Sequence, residues 1–568
     1  MNEKLLKYLV EHKLLRPEQA DHIRQLQEET GKSVQKLLSE QELLSEEQML
    51  NAMSQVFRLP TVQLFEERIP SEVCQLVRGD LLRAHTVIPF AFDPEESGTI
   101  WVAMDDPLNM RGKDLVAIAS KCRVKPFLAT TSDILVSIDR YYGTEEMREA
   151  AELYARDADT TGSIEEELIR EAVDSSPVVI LVNSIIEQAA RQRASDIHIE
   201  PERDGVRVRY RVDGVLFVAA NYDLRLLSAI TARVKIISGL DISEKRKPQD
   251  GRSTITVDGR EYDIRVSTLP TVYGEKCVMR LGIKQAISAR YSMQSLGFNA
   301  EEEEHFRNIL TRPNGIVLVT GPTGSGKSRT LYTALNELNN VNVNIVTVED
   351  PVEINIDGVN QIQVNPKAGL TFANSLRSIL RQDPDIIMIG EIRDGETAAI
   401  AVQASITGHL VLSTLHTNDT ASSVSRLLDM GVESYLIADS LVGIVAKRLV
   451  RCLCPHCKRP HVLQQHEIEY LELTPQEAAR ATVYEPGGCQ RCGGRGYYER
   501  TGVYEIMEIS PRLRDMIAAR ASTAQLRAVA VQEGMNTLHA SARRLVLEGQ
   551  TTLAEMLRIS AEDGLELP

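Results

Sequence analysis

The stretch that decides the fold is GIVLVTGPTGSGKSRTLYTALNEL, residues 315–338. It opens with a short apolar run typical of a buried strand, and it closes with an apolar periodicity typical of a helix. The turn between them, residues 321–328, fits the pattern G-x-x-x-x-G-K-[ST]. Glycines in such a turn let backbone N–H groups surround phosphate oxygens, and the start of the following helix adds a partial positive charge. The sequence therefore predicts a nucleotide-binding loop.

Every residue of this loop is a predicted nucleotide ligand. Lys327 is expected to reach the β and γ phosphates, and the Ser328 hydroxyl is expected to bind Mg²⁺. The loop residues are Gly321, Pro322, Thr323, Gly324, Ser325, Gly326, Lys327 and Ser328. ATP and Mg²⁺ are therefore predicted cofactors.

Two glutamates at strand ends are candidates for the chemistry at the γ-phosphate. Helical stretches alternate with short apolar runs at 315–320, 343–350, 384–391 and 409–416. Such alternation is typical of a largely parallel sheet. Because the carboxyl ends of parallel strands meet at the edge where the loop lies, we expect Glu349 and Glu391 to face the phosphate. The alternative is that each acid only caps a strand.

Two histidines, His409 and His416, flank the apolar run LVLSTL. Seven residues apart on a strand, they should lie on opposite faces, which argues against a shared zinc ion. A role in sensing the γ-phosphate or in a subunit contact is one interpretation. A hydrogen-bonded histidine of the core is the other.

An arginine stripe lies outside the nucleotide domain. The segment VRVRYRV, 206–212, alternates strictly, so Arg207, Arg209 and Arg211 share one strand face. The simpler interpretation is a solvated face. The functional interpretation is an arginine finger, supplied across a subunit boundary to the γ-phosphate, where such a charge raises the hydrolysis rate by orders of magnitude.

Four of the eight cysteines form two C-x-x-C pairs, and these are Cys454, Cys457, Cys489 and Cys492. Four thiolates bind Zn²⁺ tetrahedrally and leave no open position, so the pairs predict a structural zinc site. The long interval between the pairs predicts a small helical insertion at about 463–480.

The whole chain has 568 residues and a formal net charge of -16. Its length indicates several domains, and its acidity argues against a dedicated nucleic-acid binder, which usually shows a basic surface. No apolar run reaches the roughly eighteen residues that span a bilayer, and the first residues lack the pattern of a signal peptide. We therefore expect a cytoplasmic protein whose contact with the inner membrane is peripheral and made through partners.

Changes of pattern along the chain predict its domains. KYLVEHKLLRPEQ, 7–19, echoes KLLSEQELLSEEQ, 36–48, which indicates a helical repeat, and residues 144–176 carry eleven acidic against three basic residues. The predicted order is a helical repeat domain (1–60), an α+β domain (61–143), an acidic linker (144–176), a second α+β domain (177–285), a hinge (286–298), the nucleotide domain (299–450), a zinc subdomain (451–500) and a helical region (501–568).

The motifs and their order closely resemble those of the ATPases of type II secretion systems and type IV pilus assembly. The motifs are SDIHIEP (195–201), the phosphate loop, IVTVEDPVE (345–353), LRQDPDIIMIGEIRD (380–394), TGHLVLSTLHTND (407–419) and the paired C-x-x-C. The resemblance covers about 60–568. It implies a multidomain α/β fold: a RecA-like P-loop ATPase core, a preceding PAS-like α+β domain, a tetracysteine zinc subdomain, and helical and α+β N-terminal domains.

The resemblance also implies an activity. Members hydrolyse ATP as homohexameric rings and turn an inner-membrane platform protein, which adds subunits to a pilus or pseudopilus. Glu349 would activate water, Glu391 would stand where the acidic strand usually has Asp, and His409 and His416 would belong to a histidine box. The zinc site and the long N-terminal region resemble extension motors rather than retraction motors. The N-terminal domains would dock onto a membrane-anchored or cytoplasmic partner.

Residues 1–60 also resemble the cyclic di-GMP-binding domain of some members. Asn2-Glu3-Lys4 and Gly31-Lys32-Ser33 replace the Arg-Leu-Gly that opens each of its motifs, which argues against cyclic di-GMP binding.

Two other functions are open on the sequence. One is a nucleic-acid motor for DNA uptake or conjugation, against which the acidity and the lack of aromatic-basic stacking segments argue. The other is a ring scaffold that binds ATP without hydrolysis, against which Glu349 and Glu391 argue.

Overall fold

A computed structural model describes residues 2–12, 14–30, 34–41, 44, 46–64, 67, 69–138, 141–142, 177–284, 291–489 and 491–562. The chain divides into two compact units, Met1–Ile283 and Lys284–Pro568. None of the helices within the described ranges has the length and apolar character needed to cross a membrane. The predicted acidic linker at 144–176 lies outside the described residues, as do residues 286–290 of the predicted hinge.

The first domain of unit one is helical. Its described helices are Asn2–Glu11, Pro17–Thr30, Val34–Glu40 and Glu46–Phe57. Pro17 stands at the first helical position, where its missing N–H removes no helical hydrogen bond. Apolar residues at helical spacing, among them Leu5, Leu9 and Ile23, are buried in one cluster. This is the helical structure that the sequence predicts for residues 1–60.

The second domain is a small sheet with helices packed against it. Its strands are β1 (Val87–Phe92), β2 (Thr99–Met104) and β3 (Arg123–Leu128). β2 pairs with β1 antiparallel and with β3 in parallel. The described helices are Ser71–Cys74, Gly79–His85, Met110–Ser120 and Thr131–Ile138.

The third domain, within 177–284, packs the helices Pro177–Arg191 and Leu227–Ile237 on a sheet of order β6-β5-β4-β9-β8-β7. The strands are β4 (Ala194–Pro201), β5 (Val206–Val212), β6 (Val215–Tyr222), β7 (Gln249–Val257), β8 (Arg260–Thr271) and β9 (Gly274–Lys284). Alternate residues of β5 are buried, from Val206 to Val212, so the arginines between them share the other face, as predicted.

Unit two is built on a sheet whose order, among the described residues, is β12-β11-β13-β14-β10-β15-β18. Its strands are β10 (Gly315–Thr320), β11 (Ile345–Glu349), β12 (Val359–Gln363), β13 (Ile386–Ile389), β14 (Leu410–Leu415), β15 (Leu441–Leu453) and β18 (Tyr497–Glu508). Neighbours are parallel, except that β15 and β18 are antiparallel. The predicted parallel sheet is confirmed.

Helices cover both faces of this sheet. They are Ala300–Leu310, Lys327–Leu338, Phe372–Ile379, Gly395–Ile406, Thr420–Asp429 and Ser434–Ser440, followed near the C-terminus by Pro511–Ala518, Thr523–Gln532, Leu538–Leu547 and Leu553–Glu562. We call Lys327–Leu338 the phosphate-loop helix. It connects β10 to β11 and packs against β10 and β14.

The predicted domain boundaries at 450 and 500 fall within strands. β15 continues to Leu453 and β18 begins at Tyr497, so the cysteine-containing segment is inserted between two strands of the ATPase sheet. This segment contains β16 (Arg459–His461) and β17 (Val483–Glu485), and the helices Gln465–Tyr470 and Pro475–Ala478. The predicted helical insertion is therefore present.

Candidate active site

The phosphate-binding loop lies between the end of β10 and the start of the phosphate-loop helix. Gly321, Gly324 and Gly326 have φ values of 146°, 79° and 83°, a region that glycine adopts without the penalty that a side chain adds. A Cβ at Gly321 would also lie 2.4 Å from the Lys447 carbonyl oxygen. The loop can therefore follow this path only with glycine at its first position.

The loop fits a phosphate group. The Ser325 hydroxyl is buried and has no hydrogen-bond partner in the protein. A buried hydroxyl left unpaired costs about 1–3 kcal/mol, which a phosphate oxygen accepting its hydrogen bond would offset. Together with the exposed N-terminus of the helix, this hydroxyl favours an anion in the loop.

Lys327 is folded over the loop. Its Nζ donates hydrogen bonds to the carbonyl oxygens of Gly321 at 2.7 Å and Pro322 at 3.1 Å. Burial lowers the pKa of this amine to about 8; the charge of Glu391 opposes the shift, and that of Arg448 adds to it. The charges of Glu391 and Arg448 therefore both affect the protonation of Lys327.

Glu391 lies beyond β13 on the loop's edge of the sheet. It forms an ion pair with Arg393, and His416 Nε2 lies 3.5 Å from its Oε2. Burial alone would raise the pKa of Glu391, but the hydrogen bond and charge of Arg393, with those of His416, bring it below its ordinary value. Glu391 is therefore ionised at neutral pH, and its charge reaches Lys327.

Glu349 ends β11 and is 4% exposed. Its Oε1 accepts hydrogen bonds from Thr347 Oγ1 at 2.7 Å and from Gln361 Nε2 at 2.9 Å. Its Oε2 accepts one from the Tyr332 hydroxyl. Tyr332 lies one helical turn beyond Ser328 on the same face of the phosphate-loop helix. The carboxylate therefore lies next to that helix, and its convergence with Glu391 on a γ-phosphate stays a prediction.

The two histidines lie at opposite ends of β14. His416 follows the strand at the loop's edge and meets Glu391. His409 precedes the strand, and its Nδ1 lies 2.8 Å from the Ala404 carbonyl oxygen. A strand rises about 3.3 Å per residue, so the two residues are roughly 20 Å apart. The structure places His416 beside Glu391 and His409 at the opposite end of the strand, so a catalytic role for His409 stays a prediction.

The arginine stripe is paired within its own domain. Arg207 lies 2.7 Å from Glu202, Arg209 lies 2.7 Å from Glu200, and Arg211 lies 3.6 Å from Asp196. These pairs match the simpler interpretation of a charged strand face. A finger role for the three arginines stays a prediction, and it would require these pairs to open or to be shared.

Similarity to known proteins shows the family of this chain. A family model described as "Type II/IV secretion system protein" matches residues 171–558. The chain belongs to this family. A "Type IV pilus assembly ATPase PilB" of Myxococcus xanthus is 41% identical over 570 residues, covering 99% of this chain and all of the relative. A "Type II secretion system protein E" of Xanthomonas campestris pv. campestris is 40% identical over 561 residues, covering 98% of each.

This secretion-family chain is an ATPase, and its relatives' names favour pilus assembly or secretion over nucleic-acid handling. A solved structure, the Yersinia pseudotuberculosis ATPase DotB, aligns with a TM-score of 0.50 over 67% of this chain and 93% of that one. At 21% identity this likeness supports the fold alone.

An MshEN domain model matches residues 57–148 of this secretion-family ATPase. The match falls on the domain built on β1, β2 and β3. Residues 1–60, where the sequence predicts the resemblance to a cyclic di-GMP-binding domain, lie almost entirely before this match.

Lys447 is a site residue that the motifs did not reveal. From β15 its Nζ donates to Thr330 Oγ1 at 2.9 Å and to the Gly326 carbonyl oxygen at 3.3 Å, directly behind the loop. Burial lowers its pKa to about 7, and the charge of Arg329 adds to this. The available signal was the pair Lys447-Arg448 inside the apolar run 441–450.

The cysteine pairs come together as predicted. The four Sγ atoms of Cys454, Cys457, Cys489 and Cys492 all lie within 4.8 Å of one another, and Cys454–Cys489 and Cys457–Cys492 are each 3.8 Å apart. Sulfurs about 2.3 Å from a tetrahedral zinc ion would be roughly 3.8 Å apart. The cluster therefore has the dimensions of a zinc site.

The buried amine of Lys327 makes nucleotide affinity depend on pH. With a pKa of about 8 in the free protein, the amine loses its charge above that pH and can no longer pair with a triphosphate. We expect the Kd for the Mg²⁺ complex of the β,γ-imido analogue of ATP to rise by up to about tenfold per pH unit above about pH 8. Titration calorimetry between about pH 7 and 9 measures this.

The Lys327→Ala variant is the control for that titration. Its Kd should be weaker and nearly constant over the same pH range. A wild-type Kd that does not change with pH would contradict a shifted amine at this site.

Proposed function

We propose that this chain hydrolyses ATP to drive assembly of a type IV pilus or a type II secretion pseudopilus at the cytoplasmic face of the inner membrane. The observation that carries the proposal is the phosphate-binding loop, with the Lys327 amine folded over it and the Glu391 carboxylate beyond β13 at the same edge of the sheet. End-to-end similarity to a pilus-assembly ATPase and to a secretion ATPase supports the biological role.

In this proposal each residue of the site has a separate role in ATP binding or hydrolysis. The loop N–H groups, Ser325 and Lys327 would bind the phosphates, and the Ser328 hydroxyl would hold Mg²⁺. Mg²⁺, when bound, neutralises charge on the β and γ oxygens. Glu391 would face the metal side, and Glu349 would orient the attacking water. His416 would respond to the γ-phosphate through Glu391.

The active assembly in this proposal is a homohexameric ring. Arg207, Arg209 and Arg211 would reach a neighbour's phosphate, since a positive charge at the γ-phosphate stabilises the transition state. His409, away from its own loop, would lie at such a subunit contact. The domain at 177–285, PAS-like in the prediction, would carry these arginines.

Partners would be engaged by different regions. The N-terminal domains within 1–143 would dock onto a membrane-anchored or cytoplasmic protein, and the ring would turn an inner-membrane platform protein. Cyclic di-GMP is not part of the proposal, because the Arg-Leu-Gly openings are replaced. The MshEN match nevertheless makes it the first ligand to test on residues 57–148.

Loss of either charged partner should abolish turnover. Lys327→Ala removes the phosphate contact and Glu391→Gln removes the carboxylate charge, so we expect each to lower Mg²⁺-dependent phosphate release at least about 100-fold. Glu396→Gln is the matched control, since Glu396 is an exposed acid of the next helix paired with Arg377. Wild-type turnover in Lys327→Ala or Glu391→Gln would contradict the proposed function.

The tetracysteine cluster should bind one zinc ion per chain. Zinc binding contributes on the order of 10 kcal/mol to folding of small zinc sites, so its removal should unfold the inserted segment. We expect metal analysis to find one equivalent of zinc in the purified protein and little in Cys457→Ser. Cys452→Ser, which removes a cysteine outside the cluster, should keep the metal. Zinc retained in full by Cys457→Ser would contradict this site.

A further inference from the structure

The hydrogen bonds around Glu349 are fully determined. A carboxylate can only accept, and a backbone N–H can only donate. The Tyr332 hydroxyl oxygen accepts from the Glu353 N–H at 3.2 Å, so its own proton goes to Glu349 Oε2. Burial raises the pKa of Tyr332 well above its ordinary value, and the charge of Glu349 adds to this, so the hydroxyl keeps its proton.

Gln361 is equally constrained. Its amide oxygen accepts from the Ile356 N–H at 2.7 Å, which fixes the orientation of the amide. Its NH₂ group then donates to Glu349 Oε1 at 2.9 Å and to the Ile354 carbonyl oxygen at 3.0 Å. Thr347 supplies the remaining donor to Oε1.

The three donors leave one place open on the carboxylate. Two carboxylate oxygens accept about four hydrogen bonds in total. Oε1 accepts two here, from Thr347 and Gln361, and Oε2 accepts one, from Tyr332. One acceptor position therefore remains on Oε2, the oxygen held by the phosphate-loop helix.

We infer that the Tyr332 hydroxyl is the positioning group of Glu349: it directs the open position of Oε2 toward the attacking water. The inference rests on the proposed function, in which Glu349 orients that water. Tyr332 is not a catalytic residue, because its hydroxyl contacts Glu349 and the Glu353 N–H and no reacting group. It lies in the helix that begins at Lys327, so the element that holds the phosphates also holds the acid.

Neighbouring contacts support a rigid arrangement. Tyr332 is 3% exposed, and its ring packs edge-on against Tyr291 with centroids 5.7 Å apart. Thr347 is fully buried. A carboxylate held from three directions keeps its orientation, and errors of about 1 Å in such an orientation can cost about 100-fold in rate.

The test removes single hydroxyl groups. Tyr332→Phe should lower kcat for ATP hydrolysis about tenfold or more, while KM and the Kd for Mg²⁺-ADP stay within about twofold, because the phosphate contacts are untouched. Thr347→Val, nearly the same shape, should also lower kcat with little change in KM. If Tyr332→Phe does not fold, Thr347→Val tests the inference in its place.

The matched control is Tyr504→Phe. Tyr504 is a buried tyrosine of the same apolar cluster, and its hydroxyl donates to the Leu296 carbonyl oxygen at 2.7 Å, away from Glu349. It should lower the melting temperature about as much as Tyr332→Phe, with kcat within about twofold of wild type.

Two results would overturn the inference. The first is that kcat of both Tyr332→Phe and Thr347→Val stays within about twofold of that of wild type or of Tyr504→Phe. The other is an effect confined to KM or Kd. Lys327→Ala, assayed alongside, separates this failure from that of the proposed function, because wild-type turnover in that variant would remove the function itself.

Discussion

The close packing of Gly321 against the Lys447 backbone is the constraint on which the nucleotide site depends. A Cβ at Gly321 would lie 2.4 Å from the Lys447 carbonyl oxygen, so the loop leaves β10 in contact with β15. From that contact the phosphate-loop helix starts in a fixed direction and carries Tyr332 to Glu349. Parallel pairing of β11, β13 and β14 then places their carboxyl ends at one edge of the sheet. The packing of the backbone therefore fixes where the side chains of the site lie.

β15 links two sites that the sequence presents as separate. Its middle residue Lys447 lies behind the loop, and its last residue, Leu453, directly precedes the first cysteine of the cluster. The C-terminal helix Leu553–Glu562 is attached to the same strand, because Glu555 accepts hydrogen bonds from the backbone and side chain of Arg451. The cysteine cluster and the C-terminal helix are therefore both joined to the end of a strand whose middle supports the loop.

The parts that sequence predicts well are those encoded by short patterns. The loop, the apolar runs of the strands, the alternation of β5 and each C-x-x-C pair are patterns of residues within a few positions of one another. The pairing of β18 with β15 and the position of Lys447 behind the loop depend on long-range contacts that no local pattern reports. The donors to Glu349 come from three elements, so only the fold reveals them. The family match at 57–148 covers a segment in which no short motif announces the domain.

A structure of the full chain with Mg²⁺ and the β,γ-imido analogue of ATP tests the central claim most directly. The account predicts the analogue's triphosphate in the loop, Lys327 Nζ turned from the loop carbonyls to the β and γ oxygens, and Mg²⁺ at Ser328. It also predicts that the carboxylates of Glu391 and Glu349 both face the γ-phosphate. A nucleotide bound elsewhere, or a loop-bound nucleotide with both carboxylates directed away from it, would contradict the account.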